Sequence, residues 1–188
     1  MIPQQGAREE YAVVLDFLPH GYPLDKSAGY KKTPIIQAIG QENFVLLELV
    51  PKKDIHVNSG DLVYIGSGKR DHIHHINGKL ALAKLTNTAK GELEFVAKKL
   101  IAESPQKFVD FFNKSQPLSM RMHQLELLPG LGKKHMWEVV EERRAKPFES
   151  FVDIKARVKL LPNPESLVFR RIMKELEGDE KHHLFVKE

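Results

Sequence analysis

The stretch LPGLGKK, residues 128–134, lies between two segments whose apolar residues recur at helical spacing. Two glycines flank Leu131, a proline precedes them and two lysines follow them. Glycine adopts positive φ values and allows another backbone to approach closely. The pattern therefore predicts a tight turn, the LPGLG turn (residues 128–132), in which Leu131 points inward and the flanking N–H groups point outward.

A helix is expected to begin directly after the LPGLG turn. The first N–H groups of a helix have no intrahelical acceptor, and the helix dipole favours an anion at that end. A phosphate is the natural ligand of such a site, which would hold a nucleic-acid backbone without reading a base. The alternative is a glycine-rich turn followed by solvated lysines. The candidate nucleic-acid-binding residues of this segment are Gly130, Leu131, Gly132, Lys133 and Lys134.

The segment resembles the helix-hairpin-helix motif, whose hairpin has leucine, proline, glycine, a hydrophobic residue and glycine in this order. The following KPFESFVDIKARV (146–158) resembles the link and first helix of the tandem form, and the resemblance covers about residues 119–177. It implies that backbone amides around Gly130 and Gly132 contact a nucleic-acid phosphate, sometimes with a bound monovalent cation.

The helical pattern repeats around a second turn. Ser150, followed by Asp153 three residues later, is typical of a helix N-terminus. The second turn, residues 160–164, has two prolines where the motif has glycines, and each proline removes an N–H donor. We expect it to be mainly structural, with Arg170 and Arg171 able to touch a nucleic-acid backbone. The predicted helices are SMRMHQLELL (119–128), KHMWEVVEERR (134–144), SFVDIKARVKL (150–160) and ESLVFRRIMKEL (165–176).

The first part of the chain has the pattern of β structure, with short apolar runs separated by Gly, Pro, Asn and Asp. Asn77-Gly78 is the dipeptide that a tight hairpin turn prefers, so it predicts a turn between the last two strands. Such spacing favours a small closed or partly open barrel, a class that includes barrels of the oligonucleotide-binding (OB) type. The predicted strands are residues 11–18, 34–40, 44–50 and 61–66, with weaker ones at 72–76 and 80–86.

The chain is therefore expected to be an α+β, multidomain protein. Residues 1–88 form the OB-like β-barrel, and residues 89–118 form a helical connector in which Ser104-Pro105 starts a second helix. Residues 119–188 form an all-α tandem helix-hairpin-helix domain with a polar, frayed tail.

Two basic stretches of the predicted barrel are candidates for contact with a single strand. In GYPLDKSAGYKK (21–32), tyrosines that stack bases alternate with lysines that hold phosphates. The alternative is a surface loop whose tyrosines pack back on the barrel. The second stretch follows a Gly-Ser-Gly turn at residues 66–68. The candidate residues are Tyr22, Tyr30, Lys31, Lys32, Lys69 and Arg70.

Metal binding and catalysis find little support in the pattern. His72 and His74 would share one strand face and could together bind a metal ion. A metal site needs three or four ligands, however, and no further ligand is evident. Contact with nucleic acid and an ordinary solvated strand are the alternatives for these two histidines. Asp16, Asp61 and Asp71 could converge on magnesium, although their spacing does not require it. Sequence motifs of the common hydrolases and nucleotide-binding enzymes are missing. Trp137 and Met136 are interpreted as core residues.

Composition places the chain among soluble folded proteins. It has 188 residues, a formal net charge of +4 and no cysteine, which excludes disulfides and thiolate metal sites. Because we find neither an apolar signal core nor a membrane-length apolar run, we expect a cytoplasmic protein without membrane contact.

The whole chain also resembles an uncharacterised archaeal family, domain-of-unknown-function family 655. The resemblance is carried by EYAVVLDFLPHGYP (10–23), GDLVYIG (60–66) and the block from LPGLGKK to FVDI. It implies a nucleic-acid- or RNA-binding protein. We therefore expect a non-catalytic binder of nucleic acid, with RNA slightly favoured over DNA. The alternatives are a protein–protein interaction adaptor and a nuclease.

Overall fold

The structure, a computed structural model, describes residues 8–23 and 32–187. The predicted contact residues Tyr30 and Lys31 lie outside this range. The chain divides into two compact units: the described residues up to Ala97 together with those from Glu175 onward, and residues Lys98–Lys174. Both boundaries fall inside helices. The predicted division after residues 88 and 118 stays a prediction.

The first unit is built on a five-stranded antiparallel sheet that curls into a half-barrel. The strand order is β4-β1-β2-β3-β5, so β1 pairs with β2 and β2 with β3, while β4 pairs with the free edge of β1 and β5 with the free edge of β3. The runs of Val, Ile and Leu predicted as strands are confirmed as strands because their apolar side chains pack into one core, with Ala12, Val14, Ile36 and Leu49 fully buried. The strands are β1 Tyr11–Leu18, β2 Ile35–Gly40, β3 Leu46–Pro51, β4 Leu62–Tyr64 and β5 Ile73–Lys79.

The predicted hairpin at Asn77-Gly78 is wrong. β5 continues through both residues and pairs with β3, where Gly78 lies opposite Glu48 and Ile76 lies opposite Leu49. Asn77 is the extra residue of a β-bulge. Pairing along the whole edge of β3 therefore overrides the local turn preference, and the predicted strand at residues 80–86 is instead a short 3-10 helix at Leu82–Lys84.

The predicted frayed tail is also wrong. The side chains of Phe185 and Val186 are buried, and the Glu175 carboxylate accepts hydrogen bonds from the N–H groups of Leu184, Phe185 and Val186 at 2.7, 3.0 and 2.8 Å. The N–H of Lys187 donates to the carbonyl oxygen of Asn43 at 3.2 Å. One buried carboxylate thus fixes the end of the chain.

The second unit contains most of the helical residues. Ser104-Pro105 starts α2, as predicted, with proline at the beginning of the helix. The Ser150 hydroxyl caps α4 by accepting from the N–H of Asp153 at 3.0 Å, which confirms the predicted helix start. The helices are α1 Asn87–Glu103, α2 Pro105–Lys114, α3 Lys133–Ala145, α4 Phe151–Arg157 and α5 Pro164–Glu177.

The helix predicted over residues 119–128 is wrong. Two short strands, β6 Pro117–Ser119 and β7 Met122–His123, form an antiparallel ribbon, and a 3-10 helix follows at Gln124–Leu127. Pro117 lacks an N–H, and the His123 side chain caps the 3-10 helix by accepting from the N–H of Leu125 at 3.1 Å. This cap starts the helical turn late, at residue 124.

Arg143 of α3 holds the end of α2. Its guanidinium donates to the carbonyl oxygens of Phe112 and Ser115 and to the Ser115 hydroxyl, each at 2.8 Å. These carbonyl oxygens belong to the last turn of α2 and its cap, where intrahelical donors are missing. The side chain therefore joins α2 and α3 and supports the start of the ribbon.

The buried Glu175 carboxylate gives a stability prediction. Glu175→Ala leaves the three amides of residues 184–186 without their charged acceptor, so the free energy of unfolding should fall by about 3 kcal/mol. Urea unfolding followed by circular dichroism measures this change. Glu177→Ala, at an exposed position of the same helix, is the control and should change stability by less than about 0.5 kcal/mol. Equal losses in the two variants would contradict the role of Glu175.

Candidate functional site

The LPGLG turn has the predicted orientation. Gly130 adopts a φ of +98°, and the N–H of Leu131 donates to the carbonyl oxygen of Leu128 at 3.0 Å. Leu131 is buried, while Gly130 and Gly132 are exposed. The left-handed backbone at Gly130 therefore turns one side chain into the core and leaves both glycines at the surface.

The beginning of α3 presents N–H groups without internal acceptors. Gly132 is the N-cap residue and has no side chain to bond to the first turn, which contains no acidic residue. Within residues 8–23 and 32–187, no group accepts a hydrogen bond from the N–H of Gly132, Lys133 or Lys134. Because the dipole of α3 adds positive potential here, an anion is the ligand that this arrangement favours.

Cationic side chains surround the LPGLG turn. Lys133 and Lys134 are exposed, and Lys134 lies 3.9 Å from Glu138 in a solvent-screened ion pair. Arg170 of α5 is exposed too, and its Nη1 lies 3.6 Å from the position that a Cβ atom on Gly130 would take. The second helical pair thus brings a guanidinium to the first turn.

Arg171 does not take the role considered from the sequence. Its side chain is 1% exposed, and its Nη1 donates to the carbonyl oxygen of Leu127 at 3.2 Å. Leu127 ends the 3-10 helix directly before the LPGLG turn. The residue therefore supports the turn from inside and is not available to a backbone of nucleic acid.

A groove of about 480 Å³ lies beside the LPGLG turn, and sequence reasoning missed it. Trp137 is 59% exposed and Met120 fully exposed, so the interpretation of Trp137 as a core residue is wrong. The spacing carried a signal, because Trp137 follows Lys133 by one helical turn and shares its face, whereas Val139 and Val140 are buried. The groove, named the ribbon groove, is lined by Pro117, Ser119, Met120, Arg121, Met122, His123, Glu126, Lys133, Met136 and Trp137.

His123 borders the ribbon groove in its neutral form. Its ring Nδ1 accepts from the backbone N–H of Leu125, while the backbone N–H of His123 donates to Glu126 Oε1 at 2.9 Å. Burial, and secondarily the positive charge of Arg143, lowers the pKa of His123 below its usual range. Because Nδ1 accepts the hydrogen bond from Leu125, the neutral ring carries its proton on Nε2. Nδ1 thereby caps the 3-10 helix.

Tyr22 lies in a cavity of about 580 Å³ on the sheet unit. Its hydroxyl donates to Glu48 Oε2 at 2.5 Å and accepts from Gln37 Nε2 at 3.1 Å. Burial and then the bond to Glu48 raise the pKa of Tyr22 to about 12. The hydroxyl is thus directed at the sheet, while Lys79 and Lys84 also line the cavity.

The other predicted contacts of the sheet unit are placed differently. Lys69 is exposed, Lys32 is half-buried, and the Nε of Arg70 donates to the carbonyl oxygen of Gly66 at 2.9 Å. None of these three is among the described residues that line the Tyr22 cavity. In the described part of the chain, Tyr22 and these three residues therefore do not line one common cavity.

Comparisons with known proteins agree on one family. The family described as "Protein of unknown function (DUF655)" matches residues 8–187. The chain belongs to the DUF655 family. It is 45% identical over 181 residues to the uncharacterized protein MJ0038 of Methanocaldococcus jannaschii, a match that covers 95% of this chain and 80% of the relative.

A crystal structure carries the same DUF655 designation, that of Af1531 from Archaeoglobus fulgidus. It is similar to this chain with a TM-score of 0.84 and 46% sequence identity, over 94% of this chain and 99% of the other. The mixed α+β fold and the expected resemblance to an archaeal family are confirmed.

Potential metal ligands of this DUF655 chain do not converge where the structure describes them. Among residues 8–23 and 32–187, no three His, Asp or Glu side chains form a group that could hold a metal ion. The expected strand face shared by His72 and His74 is wrong, because β5 begins only at Ile73 and His74 is the extra residue of a bulge. The ring of His74 contacts that of His75 instead, with their Nδ1 atoms 2.7 Å apart. Asp16 and Asp61 bond to Thr86 and Asn58 instead of meeting Asp71.

Among the described residues, none of the helices combines the length and the apolar character that crossing a bilayer requires.

The cap formed by His123 predicts a pH dependence. A histidine whose folded pKa is lowered contributes stability above its unfolded pKa of about 6.5, and this contribution is lost as the pH falls below that value. His123→Asn keeps a side-chain acceptor for the cap but does not titrate. Between about pH 8 and about pH 5, the free energy of unfolding of the parent chain should fall more than that of His123→Asn. Parallel pH curves in urea unfolding would contradict the neutral cap.

Proposed function

We propose that this protein binds nucleic acid without catalysing a reaction on it, with RNA slightly favoured over DNA. One observation carries the proposal: the N–H groups of Gly132, Lys133 and Lys134 have no acceptor among the described residues and lie at the start of a helix. A phosphate group offers several acceptor oxygens and a negative charge, and both suit this arrangement. Arg170 and Lys133 add positive charge beside it.

The proposed contact is with the nucleic-acid backbone. The phosphate oxygens accept from the free N–H groups, so the glycines serve by exposing backbone and not by recognising a base. Lys134 assists at longer range, because it is exposed and its ion pair with Glu138 is weak. Binding of this kind is weakly sequence-selective and falls steeply as salt is raised.

The proposal includes a finer description of the fold. The half-barrel is of the OB type, and residues 119–177 form a variant tandem helix-hairpin-helix in which the ribbon and the 3-10 helix replace the first helix. The carbonyl oxygens of Pro129, Gly130 and Leu131 accept no backbone hydrogen bond from the described part of the chain. Carbonyl oxygens are common ligands of monovalent cations, so these three could coordinate such an ion at the proposed site.

The sheet unit is proposed to bind a single strand through its own surface. In the Tyr22 cavity, the Glu48 carboxylate accepts from Tyr22 and from the side-chain amide of Asn77. A carboxylate repels phosphate and accepts from the amino groups of bases, so this cavity suits a base with its phosphates near Lys79 or Lys84. Lys32, Lys69 and Arg70 are proposed to contact phosphates outside this cavity, and Tyr30 and Lys31, which lie outside the described residues, stay candidates from the sequence.

A protein–protein adaptor is the second candidate, and the exposed side chains favour it. Leu118, Met120, Met122 and Trp137 are all exposed on one unit. Exposed apolar clusters often mark surfaces that dock proteins. Under this alternative, no nucleic acid binds, and the apolar side chains account for the association.

The proposed phosphate contact predicts a difference between two variants at one position. Gly132 has a φ of −79°, which proline can adopt, and a Cβ atom there meets nothing within 4 Å. Gly132→Pro removes one N–H donor, whereas Gly132→Ala keeps it. Gly132→Pro should weaken the binding of single-stranded RNA about tenfold, and Gly132→Ala should leave the affinity within about twofold.

Fluorescence anisotropy of labelled RNA and DNA, single- and double-stranded, at several salt concentrations measures these affinities. Circular dichroism first shows that both variants are folded. Equal affinity of the two variants would contradict the backbone contact. Failure of the parent chain to bind any of the four ligands would overturn the proposed function in favour of the adaptor.

A further inference from the structure

The ribbon groove combines exposed apolar side chains with unpaired cations. Met120 is fully exposed at the tip of the ribbon, and Trp137 is exposed on α3. Arg121 and Lys133 line the same groove, and neither forms an ion pair with the described residues. Its volume of about 480 Å³ lies in the range of small-molecule pockets.

The ribbon groove is continuous with the proposed phosphate contact through Lys133. Lys133 is the first residue of α3, and Trp137 lies one turn later on the same face, about 6 Å along the helix axis. The sugar that joins a phosphate to its base can bridge such a distance. A backbone held at the LPGLG turn would therefore place a neighbouring base beside the indole.

We propose that the ribbon groove takes one unstacked base of a single-stranded nucleic acid, stacked on Trp137 and packed against Met120 and Met122. The inference rests on the proposed phosphate contact at the LPGLG turn and extends it from backbone to base. Every base has a π-face, so stacking on an exposed indole is strong and tolerant of sequence. Methionine side chains are flexible and polarizable, which suits contact with bases of different shape.

Charge favours a nucleic acid over an apolar peptide as the occupant. Arg121 and Lys133 are the two cations of the groove lining. The one acidic residue of that lining, Glu126, already accepts from the N–H of His123 at 2.9 Å. The apolar side chains of the groove are thus bordered by positive charge, and Lys133 lies at the start of α3 beside the free N–H groups. A nucleotide matches both features, because its base is apolar on its faces and its phosphate is negative.

Trp137 is the single tryptophan of the chain, so its fluorescence reports on the ribbon groove alone. The parent chain is titrated with a single-stranded RNA and with a matched oligonucleotide that has the same phosphates but several abasic positions. Anisotropy of the labelled oligonucleotide measures binding in the same mixtures. The proposal expects strong quenching of Trp137 by the RNA, and weaker binding with little quenching by the abasic form.

Variants make the test specific. Trp137→Ala should weaken RNA binding about tenfold, because the stacking surface is lost. Trp137→Phe keeps an aromatic ring and should bind RNA nearly as well as the parent chain. Both variants should bind the abasic oligonucleotide within about twofold of the parent chain. Val152→Ala, at another exposed apolar position of the same unit, is the matched control and should bind as the parent chain does.

The outcomes separate the two proposals. If RNA binds by anisotropy but Trp137 is not quenched and Trp137→Ala binds normally, the base contact is overturned while the phosphate contact stands. If neither oligonucleotide binds, the proposed function fails and the base contact fails with it.

Discussion

The left-handed backbone at Gly130 is the constraint on which the candidate site depends. Its φ of +98° is a conformation that a residue with a Cβ atom rarely adopts. The space around it is ordinary, because a Cβ atom would lie 3.5 Å from Leu167 and 3.6 Å from Arg170. Glycine is required here by backbone conformation and not by crowding. This conformation buries Leu131 and lets α3 begin at Lys133 with its first N–H groups exposed.

The surrounding residues hold this turn from several sides. Arg171 fixes the carbonyl of Leu127 before the turn, and Leu167 packs near Gly130 from α5. The second helical pair, with prolines in its own turn, thus supports the first pair and contributes Arg170 to its surface. A preformed arrangement of N–H groups binds an anion without losing conformational entropy on binding, which is the advantage of a backbone site over flexible lysines alone.

Local patterns allowed much of the fold to be predicted. β1 was predicted at its observed bounds because its apolar residues, Ala12 to Leu15 above all, pack into the core whatever its partner strand is. Asn77-Gly78 was predicted as a turn and is instead part of β5, since its conformation is decided by pairing with β3. Such long-range pairing leaves no mark in a short window of sequence. The tail was misjudged for the same reason, because the acceptor of its amides, Glu175, lies on the preceding helix.

The sequence predicted the backbone of the candidate site, the LPGLG turn, but not the side chains of the ribbon groove beside it. The order of leucine, proline and glycine at residues 128–132 favours this turn locally, so its backbone geometry could be predicted from the sequence. The ribbon groove depends on the change from helix to ribbon at residues 117–123, where His123 acts as a cap. Once a helix was assumed over residues 119–128, Met120 could not be placed beside Trp137, and both were overlooked as surface residues.

The most direct measurement of the central claim is made on the backbone amides. ¹⁵N-labelled protein is titrated with single-stranded RNA, and amide chemical shifts are followed by NMR. The account predicts that the amides of Gly132 and Lys133 shift with the same saturation curve as binding, while Gly178, an exposed glycine with a φ of +90°, stays unchanged. RNA binding that reaches saturation without moving these two amides would contradict the phosphate contact at the LPGLG turn.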